Sequence, residues 1–412
     1  MVKNMKCRFC RNDVSVKFAD LGTSPPSNDY LTATELDSYE KHYPLKVYVC
    51  TSCFLVQTKD FSKADELFRS DYAYFSSVST TLLNHSKEYV DMVVERLNLN
   101  SNSFVVEIAA NDGYLLKNFL TYKIPCLGIE PTEGTASAAE KLGIKMEKSF
   151  FGLDFAKNLI KANPKADLII GNNVYAHVPD IQDFTAGIEV LLSEDGTVTL
   201  EFPHLLNLMI NLQFDTIYHE HYSYLSLLAV CKIFESNGLK IYDVEEINTH
   251  GGSLRVYGCH SNSMRIVSRN VKSVLEKELD YGLSAENIYG DFQERIEKSK
   301  IEILSFLIEA KRANKKVIGF GAAAKSSTLL NFAGIREDLI SVICDTSIHK
   351  QNKFLPGSRV PIINPDAIKS LAPDYIVIFP WNLKTEIIQQ IGYARSWGCK
   401  FVTLLPNVEM IN

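Results

Sequence analysis

Short apolar runs rich in valine and isoleucine recur along most of this chain, each leading through a turn into an amphipathic stretch. "SFVVEIAA", "PCLGIE", "ADLIIGNNV" and "GTVTLEFPH" form one series, and "KKVIGFGAAAKSSTLLNF", "DLISVICDT", "DYIVIFPWN" and "KFVTLLP" form a second. Runs of this kind suit strands buried on both faces, so each series predicts a largely parallel sheet covered by helices. The first series ends in "LKIYDVEEI" and "SLRVYGCH" joined by "NTHGG", which reads as a hairpin. A helical stretch, "TTLLNHSKEYVDMVVERL", precedes that series, and a long charged one, "DFQERIEKSKIEILSFLIEAKRAN", leads into the second. The expected fold class is therefore α/β, in three segments: a small N-terminal module over 1–68, a Rossmann-like domain over 69–264, and a second Rossmann-like α/β domain over 265–412.

The N-terminal segment is set apart by its cysteines. "CRFC" supplies Cys7 and Cys10, and "CTSC" supplies Cys50 and Cys53. Two paired knuckles suit one tetrahedral zinc ion with about 2.3 Å per sulfur, and four thiolates leave no open position for a substrate. The expected metal is structural zinc. The turn-rich "LGTSPPSNDYL" between the knuckles fits a small loop-built module held by metal. The other five cysteines, Cys126, Cys231, Cys259, Cys344 and Cys399, stand singly in or beside apolar segments and read as ordinary buried thiols.

With 412 residues and 46% hydrophobic content the chain can bury more than one core. A formal net charge of -6 with scattered lysine and arginine gives no basic stripe, so nucleic acid is not an expected partner. The start "MVKNMKCRFC" lacks a signal-peptide core, and no apolar run is long enough to cross a bilayer. A cytoplasmic protein without membrane contact is expected.

In "FVVEIAANDGYLL" a strand ends near Glu107, turns through Asn111, Asp112 and Gly113, and enters a helix. A dinucleotide site wants three glycines there so that backbone can approach a pyrophosphate; one is present. S-adenosylmethionine (SAM) carries a ribose, an amino acid and a sulfonium but no phosphate, and strand-end carboxylates and amides suit it better. Glu130 in "CLGIEP" closes the next strand, where a carboxylate can accept from both ribose hydroxyls. Asn172, Asn173, Tyr175 and His177 in "IIGNNVYAHVPD" follow the third strand. "FDTIYHEHYSYLS" then brings Tyr218, His219, Glu220, His221 and Tyr222 to the same rim. Histidine takes protons near neutral pH and a carboxylate beside it can hold one tautomer, so Glu220 is a candidate partner of His221. A second metal is the rival reading, but H-E-H lacks the spacing that aligns two imidazoles on a helix. Gly319-x-Gly321-x-x-Ala324, with Asp345 at the next strand end, matches a dinucleotide fingerprint and by itself points to NAD.

Taken together, "CRFC" and "CTSC", "VEIAANDG", "GIEP", "GNNVYAHV", "FDTIYHEHYSYLS", "HGGSLRVY" and "GFGAAAKSSTLLN" resemble the SAM-dependent C-methyltransferases of nucleotide-linked 4-keto-6-deoxy sugars, in order and over essentially the whole chain. The resemblance implies that the middle domain binds SAM and that the C-terminal domain helps hold a nucleotide-diphosphate sugar. It implies removal of the C-3 proton beside a C-4 ketone and attack of the enolate on the SAM methyl. On the matched motifs, His221 is the base with Glu220 beside it, Tyr218 and His177 lie near the ketone and sugar, and Tyr72 in "SDYAYFSS" is a further site tyrosine. Glu107, Asn111, Gly113 and Glu130 become cofactor positions, with Asn172 and Asn173 near the reaction centre. His219 receives no role. The C-terminal turn, through Gly321 and Lys325, would face the diphosphate. The alternatives carried forward are an O- or N-methyltransferase, an NAD-dependent oxidoreductase and a non-catalytic sugar-nucleotide binder. The oligomeric state stays open, a monomer included.

Overall fold

The computed structural model describes residues 5–61 and 75–411. Tyr72 lies outside them. The first apolar series forms β6 (Val105–Ile108), β7 (Cys126–Ile129), β9 (Ala166–Asn172) and β10 (Leu192–Pro203), and the hairpin forms β12 (Leu239–Ile247) and β13 (Ser253–His260). With β8 (Lys145–Glu147), a short run absent from the sequence reading, they make a seven-stranded sheet in the order β12-β13-β10-β9-β6-β7-β8. Strands β8 to β10 pair in parallel with their neighbours β6, β7 and β9, and β13 and β12 add antiparallel. The winding reverses between β6 and β9, so the loops after Ile108 and Asn172 part there and leave a crevice at the carboxyl edge, as open α/β sheets do.

The second series forms β14 (Val317–Phe320), β15 (Ile343–Cys344), β17 (Tyr375–Ile378) and β18 (Lys400–Thr403). Two short strands, β16 (Ile362–Ile363) and β19 (Glu409–Ile411), complete the order β16-β15-β14-β17-β18-β19, again with a reversal, here between β14 and β17. The charged stretch is the helix Phe292–Arg312, whose Phe292, Ile296, Ile303 and Leu307 are buried at helical spacing while its lysines and glutamates face out.

The N-terminal module differs from the loop-built expectation. It holds β1 (Met5–Lys6), β2 (Asp13–Val14) and a sheet of β3 (Val16–Ser24), β4 (Tyr43–Val49) and β5 (Val56–Thr58). Along β4 buried Leu45, Val47 and Val49 alternate with half-buried neighbours, the pattern of a strand with one covered face. Phe18 on β3 stacks on Phe292 with ring centroids 4.3 Å apart, so the module shares a core with the C-terminal half. The fourth strand of its sheet, β11 (Ser223–Tyr224), comes from the middle of the chain and pairs with β5, Ser223 opposite Gln57 and Tyr224 opposite Val56.

Among the described residues no helix is long and apolar enough to cross a membrane.

Candidate active site

The carboxyl edges of the two large sheets face a common cavity of about 1610 Å³, lined by residues of both α/β units and by Asn28 of the N-terminal module. Asn111, Glu130, Asn172, Asn173, His177, Tyr218, Glu220, His221, Gly321 and Lys325 all reach its wall.

His221 sits at the start of the segment that feeds β11. Its strand is fixed on one side by the Thr58 amide, which donates to the Tyr222 carbonyl at 3.1 Å. On the other side the Tyr222 amide donates to Ala176 at 2.8 Å, tying it to the short helical turn Tyr175–His177. The two imidazoles therefore meet, His177 and His221 with ring centroids 4.6 Å apart and Tyr218 stacked 3.9 Å from His221. His221 Nδ1 lies 2.7 Å from the Thr216 carbonyl oxygen. A carbonyl only accepts, so Nδ1 carries the hydrogen and Nε2 keeps the lone pair. This corrects the expectation that Glu220 holds the tautomer. Adjacent side chains diverge here, and the Glu220 carboxylate is bonded instead by the Asn28 amide.

Burial, with His177, His250 and Lys325 nearby, pushes the His221 pKa well below the ordinary histidine value. Burial alone takes His177 and His219 down to about 4, and burial with Lys325 does the same to His250. All four imidazoles are thus neutral at neutral pH. In the unfolded chain they titrate near 6.5, so between pH 6.5 and about 4 the unfolded state binds more protons and folding weakens as pH falls. Glu107 and Asp215, whose pKa values burial raises, act in the opposite sense, but four histidines outnumber two carboxyls. The expected result is a urea midpoint that drops steadily from pH 6.5 to about pH 4; an unchanged or rising midpoint would contradict the neutral, buried state of these rings.

His219 points away from the cavity. Its Nε2 donates to the Tyr43 carbonyl at 3.3 Å, and the residue helps seat β4.

On the cofactor side, Glu130 Oε2 accepts the Asn111 amide at 3.0 Å and Oε1 accepts the Thr132 amide at 2.9 Å. Ala109, Asn111 and Asn173 take positive φ angles of 58°, 50° and 55°, strain concentrated where the two strand ends part. Glu107 Oε2, Asp112 Oδ1 and Asn172 Oδ1 are buried with no hydrogen-bond partner among the described residues. Of these, Asn172 Oδ1 belongs to the cavity wall, and a buried acceptor there calls for a ligand with hydroxyls or positive charge, both of which SAM has. Two expected cofactor positions fall elsewhere. Glu107 lies behind the wall at 1% exposure, and Gly113, at φ +75°, abuts Ile144 and Ala139, where a Cβ would meet Ile144 Cδ1 at 2.5 Å. Gly113 is needed for the turn and for helix packing rather than for a close approach to the ligand.

Lys325 begins the helix Ala324–Ala333, donates to Asn382 Oδ1 at 2.8 Å and lies 4.3 Å over the Trp381 ring. Trp381 Nε1 in turn donates to Asp215 Oδ2 at 2.8 Å. Burial lowers the Lys325 pKa, opposed by Asp215, whose own carboxyl burial pushes up to about 6. In the neighbouring turn the Ala322 amide donates to Asp345 Oδ2 at 2.7 Å.

Sequence reasoning missed four contributors to this wall. Asn28 lies far away in sequence. His85 and Arg255 hold Glu201, Arg255 through Nε at 2.6 Å. His250 stands in the hairpin turn at φ 53°. The glycines after it were its signal: a Cβ on Gly251 would run into Trp381, so "HGG" marks a turn pressed against the C-terminal domain.

The four cysteines gather as one cluster, with Cys7 and Cys53 sulfurs 3.6 Å apart and Cys10 and Cys50 sulfurs 3.4 Å apart. A tetrahedral ion with bonds of about 2.3 Å separates its sulfurs by about 3.8 Å, so the cluster fits zinc.

Three family models match in succession: a zinc binding domain over residues 7–68, a methyltransferase domain over 83–244, and a C-methyltransferase C-terminal domain over 248–406. The C-methyltransferase NovU of Streptomyces niveus is 32% identical over 407 residues, which cover 99% of this chain and 97% of the relative. The chain belongs to the C-methyltransferase family. As a C-methyltransferase it uses SAM as methyl donor and structural zinc at Cys7, Cys10, Cys50 and Cys53. Among solved structures it is similar to magnesium protoporphyrin IX methyltransferase from Synechocystis PCC 6803 with bound SAM, at 15% identity and a TM-score of 0.33. That match covers 44% of this chain and 82% of the other. It is also similar to the YcgJ protein of Bacillus subtilis, at 13% identity and a TM-score of 0.36, covering 44% and 100%. At those scores neither structure bears on what the C-methyltransferase acts upon.

Proposed function

We propose that this C-methyltransferase methylates C-3 of a nucleotide-linked 4-keto-6-deoxy sugar through an enolate. One observation carries the reading: His221, with Nδ1 committed to the Thr216 carbonyl, keeps the lone pair of Nε2 free of a proton in a cavity shared by both α/β units. A carbon acid needs such a base, and a ketone beside the carbon lowers the barrier by taking the charge onto oxygen. Bound SAM supplies a methyl group on a sulfonium, which departs as a neutral thioether.

His221 Nε2 takes the C-3 proton, and the electron pair moves through the C-3 to C-4 bond onto the ketone oxygen. Tyr218 stands beside His221 and is the donor proposed for that oxygen. His177 is neutral at working pH and its single N–H meets the Glu220 backbone carbonyl, so it is proposed to line the sugar side beside His221 rather than to donate to the ketone. Glu220 is proposed to favour, through its negative charge, the imidazolium that forms on His221. Asn111, Glu130, Asn172 and Asn173 are the groups proposed to face the cofactor, with Glu107 behind them, and Gly113 shapes the turn that presents them. Tyr72 keeps the role that its motif implies.

The C-terminal domain, 265–412, is proposed to hold the nucleotide diphosphate through Lys325 and the turn at Gly321. His250 belongs to the same face. His250→Ala is expected to raise KM for the acceptor about tenfold, one lost hydrogen bond, with KM for SAM unchanged. Equal effects on both KM values would remove His250 from the acceptor side.

The test of the reading is a panel of 4-keto sugar nucleotides and their 4-hydroxy counterparts with methyl-labelled SAM. Transfer to carbon in a keto sugar, and none to its reduced counterpart, is the expected result. Label on oxygen or nitrogen would favour the O- or N-methyltransferase reading.

A further inference from the structure

Zinc in a closed four-thiolate site does no chemistry on a substrate, yet the module that it holds reaches the cavity wall. Asn28 Nδ2 lies 2.8 Å and 3.0 Å from the two carboxylate oxygens of Glu220, which is itself 2% exposed. A carboxylate only accepts, so the amide nitrogen must face it. The stretch that carries Asn28 is fixed at both ends. The Asp29 amide closes a turn onto Pro26 at 3.2 Å, and Leu31 exchanges two backbone hydrogen bonds with Phe354, at 3.0 Å and 2.8 Å. Between them the Tyr30 hydroxyl donates to the Ala322 carbonyl at 2.7 Å, and Lys350 donates to the same oxygen at 2.9 Å. One short segment of the zinc module thus touches Glu220 in the central domain and the glycine turn of the C-terminal domain.

We propose that Asn28 is a positioning residue, which holds the Glu220 carboxylate at the cavity wall and makes the zinc module a working part of the active site. The proposal rests on the reading that Glu220 serves the reaction. A side chain on a backbone pinned at both ends is preorganised, and a catalytic carboxylate displaced by about 1 Å costs about a hundredfold in rate. The segment also ties the zinc module to the chemistry: Asn28 lies in the loop between the two cysteine knuckles, and Tyr30 and Leu31 anchor that loop to the C-terminal domain.

Asn28→Ala and Glu220→Gln are compared with the wild type by crystal structure, zinc content and turnover on the acceptor panel. Asn28→Ala should keep its zinc and its melting temperature, show the Glu220 carboxylate moved by about 1 Å or more, and lose about ten- to a hundredfold in kcat with KM for SAM unchanged. Asn28→Asp adds a signature that loss of packing alone would not give. Two carboxyls in contact cannot both ionise, so at lower pH they share a proton and keep the bond, and at higher pH they repel. Turnover of Asn28→Asp should therefore fall as pH rises through a limb that the wild type lacks. The other ionisable groups around this pair are Tyr30 on the zinc module, Lys350 and Asp345 on the C-terminal side, and His177 and His221 on the central side. An unmoved carboxylate in the Asn28→Ala structure overturns the proposal whatever the assays give. Full turnover in Asn28→Ala with loss in Glu220→Gln overturns the assignment of Asn28 alone, and full turnover in both overturns the reading of Glu220 with it.

Discussion

His221→Asn should lower kcat by about 10²- to 10⁴-fold, the range seen when a positioned general base is lost. The substitution is chosen to keep the fold. An asparagine amide still donates to the Thr216 carbonyl that His221 Nδ1 now meets at 2.7 Å, and it fills most of the buried space between His177 and Tyr218. What it lacks is a basic nitrogen. SAM affinity, measured by calorimetry, should stay within about twofold, because the residues proposed to face the cofactor lie on the strand ends of β6, β7 and β9. Turnover within about tenfold of the wild type would remove His221 as the proton acceptor and leave Tyr218 or His177 to be tried.

The second large effect is expected from the zinc site. Cys50→Ser takes away one of four thiolates, and zinc sites in small modules contribute about 10–16 kcal/mol to folding, as much as the whole net stability of a typical domain. The consequences run directly to the active site. Cys50 closes the turn between β4 and β5, its amide donating to Leu55 and its carbonyl accepting from Phe54, and β5 pairs with β11, the strand that follows His221. Arg8, between the cysteines of the first knuckle, reaches the carbonyls of Thr58 and Pro179 and lies 5.2 Å over the Tyr222 ring. Loss of the metal therefore frees both the His221 and the His177 segments. Cys50→Ser protein is expected to contain no zinc by elemental analysis, to melt at a lower temperature, and to have no measurable turnover. Wild-type turnover in zinc-free protein would show that the module is dispensable.

Much of this architecture could be read along the chain, and the parts that could not share a physical cause. Strands β6, β7 and β9 lie within the apolar runs that announced them, because a central parallel strand must be apolar on both faces and leaves a continuous signal; β10 starts ahead of its run, at Leu192. Strands β8, β16 and β19, of two or three residues, are too short to show any period. Strand β11 is invisible for another reason: its two residues become a strand only because β5 lies beside them in space. The site divides in the same way. His177, Tyr218 and His221 follow strand ends, where position in the sequence indicates position in the fold. Asn28 meets Glu220 across a separation of 192 residues, which no spacing rule reaches. The partner of His221 Nδ1 is not legible from spacing: the candidate Glu220, next in sequence, diverges, and a carbonyl five residues earlier curls back to the ring. His250 leaves no mark of its own, since a positive φ at a residue other than glycine has no signature, and only the two glycines after it mark the turn.

The account stands on proton removal at C-3 by His221 ahead of methyl transfer. The most direct measurement follows deuterium uptake at that carbon by NMR, with the 4-keto sugar nucleotide that accepts methyl, S-adenosylhomocysteine in place of SAM, and deuterated water. Wild-type enzyme is expected to exchange the C-3 hydrogen without transferring anything, and His221→Asn to show no exchange above the enzyme-free rate. Exchange at the wild-type rate in His221→Asn, or none in the wild type while methyl transfer to C-3 proceeds with SAM, would contradict it.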